Sequence, residues 1–459
     1  MASSFVCQEC GCLLRKWQGQ CPDCGGWNTI SEQPELPVAP RKGSGGGRRK
    51  EALAARPITE VGSEAHGRCA TGIGELDRVL GGGLVPASAV LIGGAPGIGK
   101  STLLLQAAAL LARDGSVLYI TGEESAAQVR LRAERIGALH DGLTIAAGVD
   151  LEAMLATISE ARPQVVVVDS IQTATAATLG SAPGTVAQVR ECAAALIRAA
   201  KSVGFALVLV GHVTKEGALA GPRVLEHMVD CVLYFEGDRG HAHRMLRAVK
   251  NRFGPAGEVG IFEMRDSGLK GVRDASRLFL HERSAETAGS VVLACMEGTR
   301  PLLVEVQALV APTVYATPRR AAVGIDPNRV AMLMAILERR IGLPLAGQDV
   351  YLNVVGGVRI VEPASDLAVA MAVISAWRDQ PLPAKLALFG EVGLTGEVRP
   401  VGQPEARLRE LASLGFARVL LPQGNRARAL QAAERMEAPP ALLAAASLGE
   451  AVRLLGAGG

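Results

Sequence analysis

Eight residues constrain this chain more than any others: Gly94-Ala95-Pro96-Gly97-Ile98-Gly99-Lys100-Ser101 match the pattern G-x4-G-K-[ST] at every fixed position. Ala89-Val90-Leu91-Ile92 before it reads as a buried strand, and Leu103, Leu104, Leu105, Ala108 and Leu111 after it belong to a helix. In that strand–loop–helix setting, small residues let the backbone wrap a triphosphate, with amide N–H groups aimed at it and the positive end of the helix behind them. Lys100 is expected to reach the β and γ phosphates and Ser101 to hold Mg²⁺, with Thr102 closing the phosphate-binding set. The first expectation is a nucleoside triphosphate site on an α/β fold.

From about Arg68 to Ala275, strands and helices alternate: strands at 117–120, 143–146, 165–168 and 205–210, helices at 126–136, 151–161 and 186–203. Alternation of this kind predicts a mainly parallel sheet with helices on both faces and ligands at the carboxyl ends of the strands. Polar residues fall at those ends. Four valines, Val165–Val168, run into Asp169, the Walker B arrangement, in which the carboxylate holds Mg²⁺. Tyr119-Ile120-Thr121-Gly122-Glu123-Glu124-Ser125 ends its strand in paired carboxylates; one polarises the attacking water, and the other is a helix N-terminal charge beside the capping residue Ser125. His212, in Gly211-His212-Val213-Thr214-Lys215, either senses the γ-phosphate or is a structural histidine.

Five of the nine cysteines lie in the first 24 residues, and cysteine usage in a chain without an apolar leader points to metal before disulfides. Cys7-x-x-Cys10-Gly11 and Cys21-x-x-Cys24-Gly25 are two knuckles that together fill a tetrahedral Zn²⁺ site, a structural one because no position is left for substrate. Some 30 residues bury too little surface to fold alone, so the metal supplies much of the folding free energy. Cys12 is off the pattern. The expected organisation is a four-cysteine module at 1–31, a flexible basic linker at 32–66, a P-loop core at 67–275 and a third domain at 276–459. A net charge of only +3 restricts any nucleic-acid surface to a local stripe. No run of 18 apolar residues occurs, and the expected compartment is the cytoplasm.

Thr71–Leu84, ahead of the P-loop, resembles the RecA, DnaB and KaiC class of ring and filament ATPases. The cysteine knuckles, Tyr119–Ser125, Gly211–Lys215 and above all Lys250-Asn251-Arg252-Phe253-Gly254 resemble the bacterial RadA (Sms) family over nearly the whole chain. That resemblance implies a RecA-like core, a DNA-dependent ATPase acting in DNA repair, single-stranded and branched DNA and the RecA recombinase as partners, and a homo-hexameric ring that drives branch migration without a membrane. ATP, Mg²⁺ and structural Zn²⁺ are the implied cofactors. Lys250 and Arg252 alternate to one side of a strand end, suited either to transition-state charge on a neighbouring subunit's nucleotide or to a DNA phosphate.

Residues 276–459 are similar to the Lon protease domain, whose hydrolysis needs a serine activated by a lysine. Aligned through Pro363, the serine position falls on Ala364, with Ser365 one step late; aligned through Pro400-Val401-Gly402, the lysine position falls on Glu405. The expectation is a non-hydrolytic platform for assembly and DNA contact, with Arg300, Arg319, Arg320, Arg329, Arg339 and Arg340 available for a basic face. The rival readings are an ATP-dependent Lon-like peptidase and a KaiC-like signalling ATPase.

Overall fold

The computed structural model describes residues 4–7, 13–14, 16–22, 25–27, 29–33, 57, 67–212, 223–237, 243–281, 283, 287–315 and 317–456. Cys10, Cys12, Cys24, Lys215 and nearly all of the 32–66 linker lie outside the described residues.

The amino-terminal module is a three-stranded antiparallel sheet in which β1 (Ser4–Cys7) lies between β2 (Leu13–Leu14) and β3 (Ile30–Gln33). Its core is small: Cys7, Cys21 and Ile30 are buried, with Phe5 and Leu14 packed against them.

The chain divides into two compact units, Met1–Glu236 with Met245–Ala256 and Phe262–Gly271, and Gly237–Arg244 with Gly257–Ile261 and Val272–Gly459. In the first, α1 (Gly74–Leu80) precedes β4 (Ala89–Gly94), α2 (Lys100–Leu111), β5 (Val117–Thr121), α3 (Ala126–Arg135), β6 (Leu143–Ala147), α4 (Leu151–Ala161), β7 (Val165–Asp169), α5 (Val186–Val203) and β8 (Ala206–His212). After α6 (Arg223–Met228) come β9 (Cys231–Glu236), β10 (His243–Asn251), β11 (Val259–Arg265) and β12 (Gly268–Gly271). The sheet order is β12-β11-β10-β9-β4-β8-β7-β5-β6. From β9 to β6 all neighbours are parallel, so both faces must be covered, and the strands are continuous apolar runs. Odd residues of β5 and β7 (Val117, Tyr119, Val165, Val167) enter the core under α2, and even ones (Leu118, Ile120, Val166, Val168) the core under α4 and α5. Each such valine or leucine contributes about 1.5–3 kcal/mol by leaving water. Beyond β9 the sheet turns antiparallel, which the alternation of helices and strands did not reveal. The strand bearing Lys250 is internal to the sheet, with a bulge between Ala248 and Lys250.

The second unit adds α7 (Ala275–Leu280), β13 (Ser290–Glu297), β14 (Arg300–Pro312), β15 (Arg320–Val323), α8 (Pro327–Ile336), β16 (Gln348–Val354), α9 (Asp366–Arg378) and β17 (Leu386–Leu388). It closes with β18 (Glu391–Val392), β19 (Val398–Arg399), α10 (Pro404–Ser413), β20 (Arg418–Pro422), α11 (Arg426–Ala433), β21 (Ala441–Ala445) and α12 (Leu448–Gly456). Its mixed sheet runs β15-β16-β14-β13-β17-β20-β21, and the largely buried helix α9 packs on β13 and β14. Helix α8 ends at Ile336, where the chain widens into a π turn at Leu337–Ile341.

The expected basic face is smaller than the sequence suggested. Arg300 is buried and donates to the carbonyls of Val259, Val272 and Arg273. Arg329 clamps the fully buried Asp366, its Nε lying 2.8 Å from Oδ1. Arg319, Arg320, Arg339 and Arg340 remain exposed, with Arg319 stacked on Tyr315 at 3.8 Å from the ring centre.

Candidate nucleotide site

The phosphate loop sits where parallel strands end. Gly97 has φ +75° and Gly99 φ +117°, conformations that favour glycine. A β-carbon on Gly99 would lie 2.9 Å from Met264 Cε and 3.0 Å from Leu269 Cδ1, so packing as well as backbone geometry holds that position to glycine. No side chain caps α2 at Gly99, which leaves the first N–H groups of the helix for an anion. Ala95, Pro96 and Gly97 are exposed while Ile98 is buried beneath them, anchoring the loop.

Lys100 is buried, and its ammonium donates to the carbonyls of Gly94 at 2.8 Å and Ala95 at 3.0 Å. Burial pushes its pKa down from 10.5 to about 8, against the opposing pull of the Asp169 and Glu123 carboxylates. Its Nζ also lies 3.2 Å from His212 Nδ1, and His212 Nε2 lies 2.9 Å from Glu123 Oε1. Ser170 donates its hydroxyl to the same Glu123 oxygen at 2.6 Å. Lys100, His212, Glu123 and Ser170 thus form one connected cluster drawn from α2 and from the ends of β8, β5 and β7.

The two adjacent glutamates separate. Glu123 points into the cluster; Glu124 pairs instead with Arg132, one turn and more along α3, and its backbone N–H is held by the Thr121 hydroxyl at 3.1 Å. Ser125 caps α3 as expected from its position, accepting from Gln128 N while Gln128 Oε1 accepts from Ser125 N. Asp169 is mostly buried, and Tyr119, fully buried, donates its hydroxyl to Asp169 Oδ2 at 2.6 Å. Tyr119, Ser170 and Arg132 were not singled out from the sequence as site residues. Period-two alternation held the signal for Tyr119: it pairs with Val167 while Thr121 pairs with Asp169, which puts phenol and carboxylate on one face, one step apart on the diagonal.

Ser101 and Thr102 open α2 and are half-buried. A hydroxyl at a helix start and a strand-end carboxylate form the oxygen-only donor set that suits Mg²⁺. In the amino-terminal module, the thiols of Cys7 and Cys21 are shut into the small core, as thiolates of a structural metal site are.

Lys250 and Arg252 lie on one side of their strand, and Asn251 on the other. Lys250 Nζ donates to the carbonyls of Glu226 at 2.7 Å and Val229 at 2.8 Å; Arg252 pairs with Asp230 at 3.0 Å. Asn251 reaches the Val79 carbonyl at the end of α1, and a β-carbon on Gly254 would lie 3.0 Å from Gly81 Cα. The pentapeptide therefore also fastens α1 and the Glu226–Asp230 turn within its own chain.

At the expected protease positions, Ala364 is fully buried and Ser365 nearly so, donating to the Glu362 carbonyl at 2.9 Å. Glu405 is held by Arg428 through two hydrogen bonds, at 2.7 and 3.2 Å.

The chain matches the AAA domain model at residues 60–218, the rubredoxin metal binding domain at 5–32 and the Lon protease (S16) C-terminal proteolytic domain at 346–450. The first match makes it an ATPase-domain protein. It is 53% identical over 425 residues to the DNA repair protein RadA of Bacillus subtilis, covering 92% of this chain and 93% of that one. The RadA of Pseudomonas aeruginosa is 54% identical over 421 residues, with 92% and 93% covered, and that of Brucella abortus 51% over 438 residues, with 92% of each covered. Identity at this level over nearly the full length carries one conclusion: the chain belongs to the family of the bacterial DNA repair protein RadA.

Proposed function

We propose that the chain is a DNA-dependent ATPase of DNA repair that binds single-stranded and branched DNA and extends branches made by RecA. The observation that carries the ATPase chemistry is the cluster Lys100–His212–Glu123–Ser170 beside the phosphate loop. Residues 94–102 bind the triphosphate through backbone N–H groups, with Lys100 on the β and γ phosphates. Glu123 is the base: Ser170 and His212 orient it, and it polarises the attacking water. His212 touches both Lys100 and Glu123, so entry of a γ-phosphate between them is felt by the base. Glu124, engaged by Arg132, has a structural part. Ser101 and Asp169 would hold Mg²⁺, which when bound neutralises charge on the phosphates.

Lys250 and Arg252 are assigned to phosphate, either of a neighbouring subunit's nucleotide in a homo-hexameric ring or of DNA; Arg252, with 56% of its side chain exposed, has the freer reach. Cys7, Cys10, Cys21 and Cys24 hold one structural Zn²⁺. Trp17 and Trp27, 58% and 70% exposed, are available to stack on bases or a partner rather than to cover the knuckles.

The Lon-like region is not a protease. Ser365 is buried and bonded locally, and Lys385 is the single lysine after residue 275. It immediately precedes β17, whereas the Ala364 carbonyl meets Gly390 N beyond the other end of that strand, some five residues away or about 16 Å for extended chain. A Ser–Lys dyad is out of reach.

The test is branch extension. On joint molecules prepared with RecA, wild type with ATP lengthens the heteroduplex and Lys100→Ala does not; if wild type leaves the branches where RecA placed them, the branch-migration reading fails.

A further inference from the structure

Tyr119 is a polar residue in an apolar place. Its neighbours on the same face of the sheet are Val117, Val165 and Val167, and the ring is fully buried in the core under α2. Phenylalanine would fill the same space, and a buried hydroxyl is unfavourable by roughly 1–3 kcal/mol unless it is bonded. Its bond is to Asp169 Oδ2, at 2.6 Å and away from solvent. The phenol is the donor of this bond and the carboxylate oxygen its acceptor.

The geometry points to a positioning role: we propose that Tyr119 occupies one oxygen of Asp169 and so turns the other, Oδ1, toward the metal that accompanies the nucleotide. The proposal rests on Asp169 being a metal-holding residue. Tyr119 fixes the carboxylate rotamer before the metal arrives, and removal of such an outer partner typically weakens metal binding about 10–100-fold. The hydroxyl, not the ring, carries the role.

The experiment uses the full chain with a non-hydrolysable ATP analogue and Mn²⁺ as the probe, read by electron paramagnetic resonance. Tyr119→Phe is expected to bind Mn²⁺ about tenfold or more weakly, while its affinity for the analogue in EDTA stays at the wild-type value and it still unfolds in one cooperative transition, at a midpoint lowered by the lost hydrogen bond. Wild-type Mn²⁺ affinity in Tyr119→Phe overturns the proposal, and so does a variant that fails to fold, since the hydroxyl would then be serving the core. Asp169→Asn is measured alongside. If it too keeps wild-type Mn²⁺ affinity, the assignment of Asp169 to the metal has failed; if it loses Mn²⁺ while Tyr119→Phe does not, only the positioning role has failed.

Discussion

At the scale of single residues, one step along the chain decides the chemistry. Glu123 and Glu124 follow the same strand, yet only Glu123 meets Ser170 and His212. Glu123→Gln should retain nucleotide binding and lose turnover by about 10²–10⁴-fold, whereas Glu124→Gln, which only loosens the contact with Arg132, should stay within about tenfold of wild type; single-turnover hydrolysis with a parallel binding titration checks both. Lys100 gives a pH signature. With its pKa lowered to about 8 by burial, the fold bears the cost of a buried cation below pH 8 and is relieved of it as pH rises toward 10.5. Nucleotide binding has the opposite sign, because the phosphates need the charged form. Affinity for a fluorescent ATP analogue should fall as pH rises above about 8, with proton uptake visible as buffer-dependent binding heat. The sequence narrows the proposed base to two glutamates and no further: what distinguishes them in the structure is Arg132, eight positions past Glu124, whose contact with Glu124 exists only once α3 is folded.

At the scale of elements, strongly periodic runs were legible and polar surface assignments were not. Val186–Val203 is helical over the range its pattern suggested, because its apolar residues mark one continuous buried face. The antiparallel extension beyond β9, strands β10 to β12, was missed, since hydrophobic periodicity says nothing of strand direction. Arginine misled for a related reason: the same residue type serves an exposed face or a buried pair, and sequence does not tell which. Arg329 belongs to the second kind, joining α8 to the first turn of α9 through Asp366. Arg329→Ala should therefore destabilise the carboxyl-terminal unit by about 3–5 kcal/mol in urea unfolding, because it strands a buried carboxylate. Arg339→Ala, on an exposed turn, should stay within about 0.5 kcal/mol.

At the scale of the whole molecule, the order of the parts was readable because each carries its own signal: cysteine spacing, the phosphate loop, and the Lon-like run, all matched by family models at 5–32, 60–218 and 346–450. What couples them was not readable. The amino-terminal module has a core of only three buried residues among those described, too few to hold it without metal. Purified protein should carry one Zn²⁺ per chain by elemental analysis, and Cys21→Ser should lose it while keeping affinity for ATP, since the phosphate loop is built from separate strands. The claim that unites the parts is that DNA governs the cluster around Glu123. ATP turnover measured at low salt with and without single-stranded DNA tests it most directly. DNA is expected to raise wild-type turnover several-fold, rising salt to abolish the increase as phosphate contacts are lost, and Glu123→Gln to show none. Turnover of wild type that is the same with and without DNA at every salt concentration would contradict it.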